Sequence, residues 1–160
     1  MRTFASTAAL VVALALGAMG AVVPRVALAT PAKDACNGFI SQPVGADDRV
    51  EILEPGTWCL DHDLASEQYE DTYSMIAIFA DDVTIDCRGH QLTYTGFAPN
   101  SRGIATPVGL GKRATVRNCR IRGFGRGIAM HDSPGYRIED NVIEAGIPDE
   151  NEPGAGILAF

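Results

Sequence analysis

The stretch from Asn118 to Glu144, NCRIRGFGRGIAMHDSPGYRIEDNVIE, nearly repeats itself together with the residues on either side. VRNCRIRG (Val116–Gly123) and IEDNVIEA (Ile138–Ala145) share one pattern: an apolar residue, three mostly polar residues, a variable one and a second apolar residue. Val116 and Ile138 lie 22 residues apart, as do Ile121 and Ile143. Gly103-Ile104 and Gly127-Ile128 are separated by 24, and Gly156-Ile157 follows 29 later. A period of about 20–30 residues marks a stacked-repeat architecture. Units this short cannot bury their own apolar side, so each must lie on a copy of itself.

The rest of the chain has the same grammar. VEIL (Val50–Leu53), TWCL (Thr57–Leu60), MIAIFA (Met75–Ala80) and VTID (Val83–Asp86) are short β-rich runs, with Pro55-Gly56 as punctuation. LTYTG, GIAT, ATVRN, CRIRG, GIAM, YRIED, NVIEAG and GILAF follow. LASEQYEDTY (Leu64–Tyr73) is polar and reads as a helical turn or an exposed loop. No segment holds a helical period over three turns, so the domain is expected to be all-β.

Parallel strands about 4.8 Å apart would place equivalent residues in columns. Ile85, Val116 and Ile138 form one inward column, Leu92, Ile121 and Ile143 a second, and Ile104, Ile128 and Ile157 a third. Leu92 fits only if its turn carries two extra residues. The same register sets Arg117 over Glu139, Arg122 over Glu144, and Cys119 over Asn141 at a corner, where asparagine tolerates left-handed backbone and can hydrogen-bond its neighbours along the stack. Asp86, Cys87, Asn118 and Asp140 gather at that corner. Cys87 and Cys119 stack there, either bonded or as small buried thiols. Cys36 and Cys59 flank the first segment after the leader, and a bridge between them would contribute about 3 kcal/mol in the chain-entropy model. No cysteine spacing suits zinc.

Residues 1–29 read as a cleaved signal peptide: Arg2, an uncharged apolar run from Ala8 to Val23, and Ala27-Leu28-Ala29 as the cleavage site. The run has 16 residues, short of the roughly 20 that span a membrane. Residues 30–160 are then one secreted or periplasmic domain, with a capping segment over 30–73 and coils over 74–160, and no membrane attachment after cleavage. Losing the leader removes Arg2 and Arg25 and no acid, so the net charge moves from −7 to −9, which argues against general nucleic-acid binding. The charge comes in blocks. Cys87–His131 holds no Asp or Glu and eight cations: Arg88, Arg102, Lys112, Arg113, Arg117, Arg120, Arg122 and Arg126.

VTIDCRGHQL, ATVRNCRIRGFGRGIAM and SPGYRIEDNVIE resemble the right-handed parallel β-helix repeats of the pectin-lyase-like superfamily. PGTWCL (Pro55–Leu60), after a Cys-containing segment, also resembles the start of a set of exported bacterial β-helix proteins. The resemblance covers roughly Cys36 to Phe160 and implies about four to five coils, with the chain stopping inside a repeat strand at GILAF. From that stop we expect either an incomplete C-terminus or end-to-end association. It also implies carbohydrate chemistry on acidic polysaccharides, carried by Arg, Asp or His on an outward strand face, with calcium in some relatives; no other cofactor is expected.

No catalytic motif of such enzymes transfers. Gly89-His90 is followed by Gln91, Arg137-Ile138 by Glu139, and His131-Asp132 is preceded by Ala129-Met130. His131 beside Asp132 could serve as a general base or simply face solvent on its turn. Asp61-His62-Asp63 and Asp81-Asp82 read as turns before metal ligands, and His90 as a coil residue. Arg102 and Arg126 each precede a Gly-Ile step and so stack in adjacent coils. Like charges placed so cost stability; either they invite an anion such as a uronate carboxylate or a sulfated sugar, held bidentately, or the long side chains splay and borrow an acid from elsewhere in the fold. Arg120, from the same acid-free window, joins them as a ligand-binding candidate. Three functions fit: a module contacting acidic polysaccharide, within a lyase- or epimerase-like protein; a non-catalytic structural or surface protein; and a periplasmic accessory factor.

Overall fold

Every few residues the chain meets a side chain that tolerates left-handed backbone, and there it turns. Arg88, Asn118 and Asp140 sit at φ 53°, 56° and 53° at one corner, and Asp82 and Arg113 at φ 56° and 58° at another. The computed structural model describes residues 35–41, 49–67, 73–144 and 154–159; the leader lies outside these. The described residues form strands and turns with no helix.

An opening pair, β1 (Gly38–Ile40) and β2 (Val50–Ile52), precedes four coils of three strands each. The coils are β3 (Gly56–Leu60), β4 (Leu64–Ser66) and β5 (Ser74–Ile78); β6 (Val83–Asp86), β7 (Gln91–Tyr94) and β8 (Arg102–Thr106); β9 (Thr115–Arg117), β10 (Arg120–Arg122) and β11 (Arg126–Met130); and β12 (Arg137–Glu139), β13 (Val142–Glu144) and β14 (Ala155–Ala159). Each coil gives one strand to each of three parallel sheets: β1-β3-β6-β9-β12, β4-β7-β10-β13 and β2-β5-β8-β11-β14. The protein is a parallel β-solenoid of about four turns.

The expected columns are the observed ones. Ile85, Val116 and Ile138 are in register in the first sheet, and Trp58 extends the column downward. Leu92, Ile121 and Ile143 align in the second, joined by Leu64. Ile104, Ile128 and Ile157 align in the third, continued by Ile76 and Val50. Ile85, Val116, Leu92, Ile104, Ile121 and Ile128 are essentially inaccessible to solvent. Each such side chain contributes about 1.5–3 kcal/mol by leaving water. Ile157 keeps its register but stays half exposed, since β14 pairs only with β11 among the described strands. The two extra residues before Leu92 form the turn at Arg88-Gly89. A stack of rings, Tyr73, Tyr94 and Phe124, runs up the interior with centroids 6.4 and 5.3 Å apart.

The segment LASEQYEDTY departs from its expected form. It opens as strand β4, and Leu64 is buried in the second inward column. Its polar residues masked the strand, because only Leu64 of the three is fully buried. Residues 68–72 of this segment lie outside the described residues.

Both cysteine pairs are bonded: Cys36–Cys59, with Cα atoms 5.8 Å apart, and Cys87–Cys119, with Cα atoms 4.7 Å apart. The second joins consecutive coils at a buried corner, which decides between bond and thiols. Asn141 braces the same corner through hydrogen bonds to its neighbour in the stack, as expected, and not through left-handed backbone. The left-handed residues are Asn118 and Asp140, while Asn141 accepts from the Cys119 N–H (2.9 Å) and donates to the Val116 carbonyl (2.9 Å).

Arg117 lies beside Glu139 in register, as expected, but its guanidinium also reaches back one coil to Asp86. Nη2 and Nε stand 2.8 and 2.9 Å from Oδ2. Asp86 is buried and also accepts from Asn118 Nδ2 (3.0 Å) and the Arg88 N–H (3.0 Å). Burial by itself would raise its pKa; the bonds from Asn118 and Arg88 and the charge of Arg117 outweigh that and hold the carboxyl below the usual range. Because the folded pKa is depressed, this carboxylate stabilises the fold above its unfolded pKa of about 3.9. The stabilisation is lost as pH falls through the folded value.

Two outcomes test this account. Denaturant midpoints of the wild type should drop as pH falls below about 4, and Asp86→Asn should show a shallower drop from a lower starting stability; identical slopes would contradict the assignment. The double variant Cys87→Ser/Cys119→Ser closes no loop and should lose roughly 3–4 kcal/mol in urea unfolding, from the 32-residue separation.

Candidate functional site

The third sheet brings Arg102 and Arg126 together. They are paired in register on β8 and β11, with Ser74 before and Ala155 after them in the same column. Neither end of that column offers a carboxylate. Both side chains are half-buried, and the Arg102 Nε is buried without a hydrogen-bond partner. Burial, then the neighbouring Arg126 charge, shift the Arg102 pKa downward, although a guanidinium stays protonated in proteins. Two cations stacked one strand apart strain the fold electrostatically. An anion with two oxygens would relieve that strain and satisfy the orphaned donor.

His131 follows β11 directly and belongs to the same electrostatic neighbourhood. Its backbone N–H donates to Thr106 Oγ1 (2.9 Å), a hydroxyl buried at the end of β8. Burial lowers the imidazole pKa, Arg102 and Arg126 lower it further, and Asp132 opposes them. The ring is therefore neutral near pH 7. Asp132 itself is exposed on a left-handed turn at φ 45°. The dipeptide thus divides: the histidine belongs with the arginines, and the aspartate with solvent.

Arg120 stands elsewhere. Ile121 occupies the inward column of the second sheet, so alternation turns Arg120 and Arg122 outward from that sheet, and both are exposed. The three arginines named as ligand-binding candidates therefore fall on two faces. The signal was present in the sequence: Arg120 is one residue before a core isoleucine, whereas Arg102 and Arg126 precede a glycine at a strand start.

The carboxylates of the turns are already engaged. Asp82 takes Arg113 bidentately, with Nε and Nη2 at 2.6 Å, and Asp81 accepts the Lys112 N–H at 3.0 Å. The Arg113 bonds hold the Asp82 carboxyl below its usual range. Asp63 accepts from the Gln91 N–H (2.9 Å) and faces His90 Nδ1 (3.1 Å), and these bonds lower its pKa. His62 Nδ1 bonds Asp61. Each of these links adjacent turns or neighbouring residues, which is a structural use. Among the described residues no group of three His, Cys, Asp or Glu side chains is placed to hold a metal ion.

The titration of His131 checks the cluster. Followed by NMR, its midpoint should fall below the usual value of about 6.5 and rise in the Arg102→Gln/Arg126→Gln variant, because two cations that oppose protonation are gone. A midpoint unmoved by the substitutions would separate His131 from the arginines. Compared with family models, curated proteins and solved structures, the chain has no match.

Proposed function

We propose that this is an exported β-solenoid that contacts acidic polysaccharide through the Arg102–Arg126 column, within a lyase- or epimerase-like protein. The observation that carries the reading is the pair of arginines in register on adjacent strands, one of them with an orphaned buried Nε. Stacked like charges lower stability, and a fold keeps such an arrangement where a ligand repays it. The two disulfides fit an oxidising compartment, where such polymers occur. The resemblance of VTIDCRGHQL and SPGYRIEDNVIE to pectin-lyase-like repeats supports the same ligand class. A structural, non-catalytic role is the second reading. It is favoured by how many turn carboxylates bond arginines and backbone within the coils.

Binding of the purified protein to pectate and alginate, measured at low ionic strength and again with added salt, tests the reading. Affinity should fall with salt, and Arg102→Gln/Arg126→Gln should weaken it by about tenfold or more while leaving thermal stability equal or higher. No binding to any polyanion at low salt, or a double variant that binds like the wild type, overturns the polysaccharide reading. Turnover of either polymer would in addition exclude the purely structural alternative.

A further inference from the structure

The two disulfides stand in different surroundings. Cys87 and Cys119 are both sealed from solvent, at 0 % and 1 % exposure. In the other bridge Cys59 is equally buried, but Cys36 is only partly covered and lies just before the edge strand β1. Its Sγ accepts a hydrogen bond from Arg88 Nη2 at 2.8 Å, across 52 residues of sequence. The fold sets that contact. Cys59 pairs with Asp86 in the next coil, the chain turns at Arg88 with φ 53°, and the guanidinium reaches back over one coil. It lies over the Phe39 ring, 5.6 Å from the centroid, so an aromatic face on β1 holds the cation beside the sulfur.

A guanidinium against a sulfur bears on thiol chemistry. The thiolate is the species that attacks a disulfide and the species that leaves it, and a neighbouring arginine favours both by charge. We propose that Cys36–Cys59 is a thiol-exchange site for a dithiol reductant, with Arg88 as its positioning residue. One thiolate of the reductant attacks Cys36 Sγ, the sulfur that solvent reaches. The Cys36–Cys59 bond breaks, Cys59 leaves with the electron pair and takes a proton from water, and a mixed disulfide stands at Cys36. The reductant's second thiolate then attacks its own sulfur in that mixed disulfide. It closes to a cyclic disulfide and expels Cys36 as a thiolate beside Arg88. The protein bridge is reduced and the dithiol oxidised, with no other electron donor or acceptor.

Opening the bridge has a structural consequence. Among the described strands β1 pairs only with β3. Gly38 lies against the Trp58 ring, where a Cβ would stand 2.6 Å from Trp58 Cζ3. Trp58 is the chain's single tryptophan and continues the first inward column. Ile40, 1 % exposed, anchors the far end of β1. The near end is held by the bridge and by Asn37, whose N–H donates to the Thr57 carbonyl (2.6 Å) and whose Oδ1 accepts from the Thr57 N–H (2.7 Å). Cutting the bridge therefore loosens the residues that cover Trp58, while Ile40 keeps the strand attached. The site shares no residue with the arginine pair of the third sheet and does not rest on the polysaccharide reading.

Timed treatment of the folded protein with dithiothreitol, followed by alkylation and peptide mass mapping, tests the order of opening. Cys36 and Cys59 should be labelled first, and Cys87 and Cys119 only once denaturant is added. In step with the first labelling, Trp58 emission should move to longer wavelength. Arg88→Gln should slow the opening about threefold, the effect of about one unit in thiol pKa, and Arg88→Lys should restore most of the rate. In Cys59→Ser the pH profile of Cys36 alkylation should have its midpoint below the ordinary thiol value of about 8.5. Adding Arg88→Gln should return it to that value, a change that lost packing alone would not produce. Labelling of Cys87 and Cys119 first overturns the exchange site, as does an Arg88→Gln variant that opens at the wild-type rate with an unchanged alkylation midpoint. Ordered labelling with no change in Trp58 emission overturns the coupling to β1.

Discussion

Vertical register is the constraint on which the rest of the molecule depends. Ile85, Val116 and Ile138, with their counterparts on the other two sheets, lie one above another because parallel pairing repeats the same residue at each level. Once that alignment is set, the interior fills with one apolar side chain per sheet per coil, and the outward positions become columns as well. Charge follows the same geometry. The registers of Arg102 with Arg126 and of Arg117 with Glu139 are both consequences of core packing.

The fold could be read from the sequence because it is periodic. The 22-residue interval, the Gly-Ile steps and the two extra residues before Leu92 each gave a position that the structure reproduces. Leu64 was less visible: a single apolar residue followed by polar ones carries no alternation, and its place in the core comes from pairing with Leu92 in the next coil. The state of Cys87 and Cys119 was likewise open. Column spacing brings two sulfurs near each other, and only the turn geometry at Arg88 and Asn118 decides that they meet.

The site was legible in part, and for a physical reason. Strand alternation announces which residues point outward, but not which long side chains turn back. Arg117 crosses to Asp86 in the preceding coil, and Arg113 to Asp82; the sequence separations of 31 residues in both cases hide this. The membership of His131 in the arginine cluster is also tertiary, since it depends on Thr106 fixing the chain after β11. Arg120 was grouped with Arg102 and Arg126 by composition. Alternation about Ile121 would have separated them, because the acid-free window wraps around more than one wall of the tube.

The Cys87–Cys119 bond has a mechanical side. In a tube built only of stacked rungs, peeling that starts at one rim can run from rung to rung, each release exposing the next. Here the second and third coils are riveted by a covalent bond at a buried corner, and Asn141 ties the fourth coil to the same corner through two hydrogen bonds. Unravelling that begins at the fourth coil must halt at the rivet, since the third cannot separate from the second while the bond holds. The paired arginines span those same two coils, so the surface they present stays assembled even when the fourth coil separates.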